Sequence, residues 1–256
     1  MVELAGGEGR AADRLRGAAF SGPPRAARQG DVADDEIMCG RFNLIAGGDD
    51  VAALFELPGP PSLWPRYNIA PTQPVPVVRA PAGARELTTL RWGLPASWPG
   101  APPVLINARA ETAADKPAFR DAFRRRRCLV PASGFYEWQK QPGGRKQPFL
   151  FRRPDGAPFA VAGLWDRDAC ALLTTAADAV VAPIHDRMPL ILSQADFARW
   201  LDPGAQLADL LGLIRPDAEA GLLALAVGPW VNDARHEGPR CVQPAGEQGL
   251  FDLTAG

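Results

Sequence analysis

No run of about 18 apolar residues occurs in the 256-residue chain, so no membrane-spanning helix is expected. The first ten residues, Met1 to Arg10, lack the apolar stretch of a secretory signal. A soluble, cytoplasmic protein is the expectation. Cysteine is scarce: Cys39, Cys128, Cys170 and Cys241 stand far apart, and none belongs to a C-x-x-C pair. That spacing argues against a zinc site and against a disulfide framework. Cys128 and Cys170 lie in the apolar runs RCLVP and ACALL and read as buried core. There is no G-x-G-x-x-G or Walker-type loop and no internal repeat, so neither a metal nor a cofactor is expected.

A basic excess is missing as well. The net charge is −1, which is not the usual footprint of a nucleic-acid-binding domain. Residues 1–38 hold seven acidic and five basic side chains, and the remainder holds 22 and 23. The main body can therefore carry a local basic groove. Any affinity for DNA should be modest and salt-sensitive unless something stronger than charge holds the strand.

Glycine (26) and proline (27) are plentiful, which favours turns and short elements over long helices. Residues 1–37 are rich in Ala, Gly, Arg and Asp, with few large apolar side chains. They read as a disordered extension, or as a stretch upstream of a true start at Met38. Residues 38–256 read as one domain. Asp50 is positioned to cap a helix over Val51–Glu56, and Pro58–Pro76, with seven prolines, reads as a long loop. Strands are expected over Val75–Arg79, Glu86–Trp92, Leu105–Ala110, Cys128–Val130, Ala171–Thr175, Leu190–Leu192 and Ala224–Val227. Phe149–Arg152 and Phe159–Leu164, joined through Pro154-Asp155-Gly156, read as a hairpin. Pro117 suits a helix start, with Phe119 and Phe123 on one face. Ser193 with Asp196 resembles a capping box for a helix through Trp200, and another helix is expected over Asp217–Leu223. The basic run Arg124–Arg127 reads first as a solvated helix end. Short strands and helices without a βαβ rhythm indicate a single α+β domain on mostly antiparallel sheet.

The chemistry centres on Met38-Cys39-Gly40-Arg41. If Cys39 becomes the first residue, it presents a free amine beside a thiol. An α-amine titrates near about 7.7–8.0, so part of it is neutral at physiological pH. Such an amine attacks an aldehyde to give an imine, and the thiol then closes a five-membered thiazolidine. An internal Cys39, its nitrogen locked in an amide, has no such route and reads as a buried core thiol. Asn107, Arg109 and Glu111 alternate along an expected strand and share a face, which makes a polar site. Glu137 sits between Tyr136 and Trp138 in an apolar strand. A carboxylate there is either paired with an arginine or raised in pKa. His185 is one of two histidines and titrates in the range of a proton shuttle. His236 stays unassigned.

Further motifs follow in order: Tyr67-Asn68-Ile69-Ala70-Pro71-Thr72, Arg91-Trp92-Gly93-Leu94-Pro95, Ile106-Asn107-Ala108-Arg109-Ala110-Glu111-Thr112, Cys128-Leu129-Val130-Pro131-Ala132, Gly134-Phe135-Tyr136-Glu137-Trp138, Ala162-Gly163-Leu164 and His185-Asp186-Arg187-Met188-Pro189. Together with Met-Cys-Gly-Arg they resemble the SOS-response-associated peptidase family from Met38 to about Pro244. The resemblance implies that family's fold, with a barrel-like core and short flanking helices. It implies a monomeric sensor that bonds covalently to abasic sites in single-stranded DNA. On this sequence Cys39 would be the nucleophile, and Asn107 would hold the sugar and orient Cys39. Glu137 would assist ring opening and proton transfer, and His185 would move protons at the sugar oxygens. Arg41, Arg109 and Arg187 are candidate phosphate contacts. Trp98 is a candidate base-stacking side chain, and Asn68 and Pro71 would line the same cleft.

Three functions remain open at this level. The first is a DNA–protein crosslinker, with strand-cleaving lyase activity through the imine. The second is a thiol peptidase or self-processing enzyme using Cys39. The third is a non-covalent reader of single-stranded DNA. One departure bears on all three: the family pattern places the cysteine directly after the initiator Met, whereas 37 residues precede Met38 here.

Overall fold

A computed structural model describes residues 39–81, 83–96, 100–215 and 221–246. In chain order the strands are β1 (Phe42–Leu44), β2 (Arg66–Ile69), β3 (Pro74–Arg79), β4 (Glu86–Trp92), β5 (Leu94–Pro95), β6 (Val104–Leu105), β7 (Asn107–Arg109), β8 (Arg127–Ala132), β9 (Gly134–Lys140), β10 (Lys146–Arg152), β11 (Phe159–Asp166), β12 (Ala169–Ala176), β13 (Arg187–Pro189), β14 (Ile191–Leu192) and β15 (Leu223–Ala226). The helices are α1 (Gly48–Phe55), α2 (Ala110–Ala113), α3 (Arg120–Arg125), α4 (Phe197–Leu201) and α5 (Leu207–Leu211). The chain is α+β, strand-rich, with short helices, as its lack of rhythm suggested.

Five strands close on themselves in the order β12-β4-β3-β8-β11 and back to β12. One pair, β12 with β4, is parallel; the other four are antiparallel. Closure explains why β8, β11 and β12 read as continuous apolar runs. Each is buried along nearly its whole length, with one face inward and the other under neighbouring elements. Helix α4 packs on β8, and α3 on β8 and β11. Gly163 makes the tight passage possible: a Cβ there would lie 2.9 Å from Cys128 Sγ and 3.2 Å from the Ala171 carbonyl oxygen.

A second, open sheet runs β15-β10-β9-β1-β2 and is antiparallel throughout. The chain crosses from barrel to sheet at Ser133, between β8 and β9. Ser133 Oγ accepts the N–H groups of Ile45 and Ala46 at 2.9 and 3.0 Å, which ties the junction to the end of β1. Beyond the barrel ring, β12 continues with β13 on one edge and β7 on the other. These two three-residue strands face the junction.

Several expectations are corrected. Phe149–Arg152 and Phe159–Leu164 do not form a hairpin: β10 pairs with β9 and β15, and β11 pairs with β8, β12 and β14. Both runs are apolar enough to be buried, and the turn between them changes sheets. The proline-rich stretch 58–76 contains β2 and the start of β3, because its prolines fall outside β2 or at ladder positions that need no N–H. Helix α1 begins at Gly48 with Gly47 as its N-cap, and Asp50 lies inside the first turn, where its charge suits the dipole. The strand at Asn107 ends at Arg109, so Glu111 sits on α2. Ser193 Oγ does meet Asp196, at 2.9 Å, but no side-chain cap reaches the helix backbone there. Arg124 and Arg125 end α3 in solvent as expected. Arg127 is instead buried on β8, donating to the carbonyls of Trp200 and Phe123, both at 2.7 Å, and to that of Asp202. Burial lowers its pKa to about 10. The expected helix over Asp217–Leu223 lies mainly outside the described residues, and its last residue, Leu223, opens β15.

Candidate active site

The ladder between β1 and β9 sets the site. Phe42 pairs with Phe135, and the Arg41 carbonyl accepts the Tyr136 N–H at 2.9 Å. Extending that ladder backwards lays Cys39 beside Glu137. The Cys39 N–H donates to Glu137 Oε1 at 2.9 Å. Both residues are buried, with 2% and 3% exposure. The Cys39 backbone is left-handed, at φ 47°, a conformation that costs a non-glycine residue about 1 kcal/mol or more.

Alternation along β9 explains how a carboxylate comes to lie in an apolar strand. Phe135 and Glu137 share one face and Tyr136 and Trp138 the other. Phe135 stacks on Phe151 within the main core, while Tyr136 anchors a second apolar cluster with Val231 and Cys241. Glu137 sits at the end of the first face, where the core gives way to Cys39. Burial raises its pKa above the usual carboxylate value, against the opposing pull of nearby His185 and the hydrogen bonds from Cys39. Burial, reinforced by Glu137, pushes the Cys39 thiol well above its ordinary pKa. The thiol is therefore neutral. Its proton has two acceptors in reach, the Glu137 carboxylate and the Arg187 carbonyl, the latter 3.8 Å from Sγ.

The barrel supplies the opposite wall. From β7, Asn107 Nδ2 donates to the Cys39 carbonyl at 3.4 Å. From the turn before β13, the His185 ring faces the site. The Arg187 N–H donates to His185 Nδ1 at 3.0 Å. A backbone N–H is only a donor, so this contact favours a neutral ring that accepts at Nδ1 and carries its proton on Nε2, whereas the neighbouring Arg187 carbonyl favours a proton on Nδ1. The Arg187 carbonyl, 3.1 Å from Nδ1, and Asp186 Oδ1, 3.3 Å away, stand ready for the protonated ring. Cys39, Asn107, Glu137, His185 and the Arg187 backbone thus converge.

The other expected residues divide. Arg41 is half-buried, donates to Asn68 Oδ1 at 2.7 Å and to the Val231 carbonyl at 2.8 Å, and lies 5.6 Å from the Trp138 ring. Asn68, expected to line a DNA cleft, is buried in the scaffold. Its amide donates to the carbonyls of Val231, Asp233 and His236 while its oxygen accepts Arg41. No face of it is left for a ligand. Pro71 is half-buried in the turn between β2 and β3, and Arg109 is exposed at the end of β7. The Arg187 guanidinium, expected at a phosphate, is forked onto Glu111 at 2.9 and 2.8 Å. Trp98 lies outside the described residues.

Two neighbours of the site escaped the sequence reading. Asp186 acts electrostatically on both Cys39 and Glu137. Trp138 meets Arg41 from the strand face opposite Glu137. Their positions next to His185 and Glu137 in sequence were the available signals. Among the described residues no cluster of three or more His, Cys, Asp or Glu could hold a metal ion, and no helix is long and apolar enough to cross a membrane.

Residues 38–234 match the family described as SOS response associated peptidase. The chain belongs to that family. Among similar proteins, the abasic site processing protein YoqW of Bacillus subtilis is 32% identical over 222 residues, covering 80% of this chain and 99% of its own. YedK of Escherichia coli, also named an abasic site processing protein, is 34% identical over 178 residues, 64% of this chain and 79% of its own. HMCES of Xenopus tropicalis, named likewise, is 29% identical over 263 residues, 80% and 78% of the two chains. A solved structure from Bacteroides thetaiotaomicron superposes with a TM-score of 0.70 at 25% identity, covering 81% of this chain and all of its own. One from Bordetella bronchiseptica gives 0.63 at 28% identity, covering 74% and 100%.

Proposed function

We propose that this SOS response associated peptidase processes abasic sites in single-stranded DNA by bonding to them through Cys39 as its first residue. The supporting observation is the placement of Glu137, whose buried carboxylate reaches both the nitrogen and the thiol of Cys39. The names of the relatives point to the same lesion.

The chemistry follows from these contacts. With residues 1–38 removed, the Cys39 nitrogen is an amine held at the same carboxylate. It adds to the aldehyde carbon of the ring-opened sugar: the C–N bond forms as the C=O π bond opens, and a first proton passes from nitrogen to that oxygen to make a hydroxyl. Glu137 takes a proton from nitrogen and returns one to the departing hydroxyl, which leaves as water to give the imine. The thiol then adds to the imine carbon and closes the thiazolidine, its proton passing to the imine nitrogen by way of Glu137. A carboxylate with a raised pKa suits a group that must both take and give a proton. His185 serves the sugar oxygens, and Asn107 holds the Cys39 carbonyl. Elimination from the imine would give the lyase reaction. Arg41 and Arg109 provide cations for flanking phosphates, with Pro71 beside the strand and no base-edge readout needed.

A thiol peptidase needs a thiolate, and a neutral, buried Cys39 is poorly suited to attack an ordinary peptide. Self-cleavage at Met38–Cys39 is a narrower case, favoured by the strained backbone at Cys39. It would expose the amine that the crosslink requires.

Incubation with an oligonucleotide containing one abasic site, followed by denaturing electrophoresis, tests the proposal. The form beginning at Cys39 should give a band that survives denaturation. A shift seen only under native conditions would leave a non-covalent reader, and peptide turnover without DNA would restore the peptidase.

A further inference from the structure

Strand β13 is three residues long and pairs with β12 alone, over Thr174–Ala176. So short an edge strand gains little rigidity from its ladder. Yet the backbone of Arg187, its first residue, makes two contacts on which the site depends. Its N–H fixes His185 Nδ1 at 3.0 Å, and its carbonyl accepts the Cys39 thiol at 3.8 Å.

The side chain of the same residue is held from two directions. Arg187 Nη1 and Nη2 donate to Glu111 Oε1 and Oε2 at 2.9 and 2.8 Å, a two-pronged pair. Nη2 also donates to the Thr174 carbonyl at 2.6 Å and meets Thr174 Oγ1 at 3.3 Å. Only 12% of the Arg187 side chain is exposed. Glu111 is anchored in turn by Thr175 Oγ1 at 3.3 Å. It lies in the first turn of α2, which follows directly from β7 and Asn107. One short segment thus holds the Cys39 carbonyl at one end and the Arg187 guanidinium at the other.

We propose that Glu111 is a positioning residue for the reaction at Cys39: its two oxygens pin Arg187, and the Arg187 backbone thereby sets the His185 ring and the acceptor of the thiol. The inference rests on the reading of Cys39 given above. It assigns Glu111 a geometric task. Gln at this position offers one acceptor oxygen and cannot receive both prongs. Asp keeps both oxygens but withdraws them by one methylene.

Two measurements test it. The first needs no DNA. The chain holds only His185 and His236, so nitrogen-15 spectra of the imidazoles of the full chain are simple to assign. In the parent, His185 should show an acceptor Nδ1 and a protonated Nε2. In Glu111→Gln it should become a mixture of tautomers, while His236 is unchanged. The second is the crosslinking rate against DNA concentration in the form beginning at Cys39. Glu111→Gln should lower the saturating rate about tenfold, with the half-saturating concentration unchanged. Arg187→Lys should behave alike, and the double variant should be no slower than either single one. Glu111→Asp should fall between, and it gives the same readouts if Glu111→Gln fails to fold. Unchanged His185 signals in the variants would overturn the proposal. So would a raised half-saturating concentration at an unchanged saturating rate, which would make Glu111 a DNA-binding group. A parent that forms no adduct while its variants still lose the tautomer would overturn the reading of Cys39 and uphold the pinning of His185.

Discussion

The closed barrel and the junction beside it are built on opposite terms. In the barrel, strands of six to eight residues pair on both edges, and Val77, Leu129, Val130, Ala162 and Leu173 are wholly buried. At the junction, β1, β7 and β13 have three residues each, and a carboxylate and a thiol are buried together. The barrel is held by apolar area and ladder hydrogen bonds. The junction is held by side-chain contacts between segments far apart in sequence, such as Cys39 with Glu137 and Arg187. A rigid ring therefore carries a polar seam whose groups are costly to bury.

The largest expected effect separates the two regions outright. Cys39→Ala should abolish the denaturation-resistant adduct while native binding to single-stranded DNA persists. Its melting temperature should stay close to the parent's, because a thiol is only a weak donor to its two acceptors, the Arg187 carbonyl and the Glu137 carboxylate. An undiminished adduct would break the comparison by removing the seam's chemistry.

Glu137→Gln should cut the crosslinking rate by about 10²–10⁴-fold, the usual cost of losing a placed acid–base group. Its stability should move the other way. A carboxylate whose pKa is raised on folding favours the folded state only while protonated in both states. That contribution is lost as pH rises past its unfolded value and through its raised folded value. At neutral pH the parent therefore carries a penalty that the amide lacks. Melting curves should show Glu137→Gln more stable than the parent at pH 7–8 and equal to it near pH 4. A variant less stable at neutral pH would show that the hydrogen bonds from Cys39 outweigh burial.

Leu129→Ala, in the middle of β8, should destabilise by about 2–5 kcal/mol, seen as a lower denaturant midpoint. Below its melting range its saturating crosslinking rate should match the parent's. A large fall in rate without unfolding would show that the barrel also sets the chemistry.

The same contrast governs what could be read from sequence. Apolar runs such as Cys128–Val130 and Ala171–Thr175 announced barrel strands directly, because burial on both faces leaves a continuous pattern. They could not announce pairing: Phe149–Arg152 and Phe159–Leu164 look like a hairpin until the chain changes sheets between them. At the seam, Cys39, Asn107, Glu137 and His185 stood out because each is a chemically loaded residue in an odd setting. Their mutual contacts were not legible, since those depend on the register of β1 on β9. The turn from strand to helix at Ala110, which swings Glu111 onto Arg187, left no periodic signal in four residues. Asn68 shows the converse. Its motif marked it, but burial beneath the 231–236 segment makes it scaffold.

The smallest expected effect concerns the rim of the seam. Arg109 is exposed at the end of β7, two residues beyond Asn107, and no ion pair ties it to the protein among the described residues. Arg41, by contrast, is held by Asn68 and the Val231 carbonyl. If Arg109 meets a phosphate beside the lesion, that contact releases a counterion and carries no sequence information. Arg109→Ala should then weaken binding equally for oligonucleotides of different flanking sequence. The slope of log affinity against log salt should fall in magnitude by about 0.7, the value for one phosphate contact on a single strand. The melting temperature should not move, and the saturating crosslinking rate should hold, because the side chain touches neither Cys39 nor Glu137. Salt titrations at three ionic strengths with an uncrosslinkable abasic analogue would measure the slope. An unchanged slope would assign phosphate contact to other cations, and a reduced saturating rate would move Arg109 from the rim into the seam.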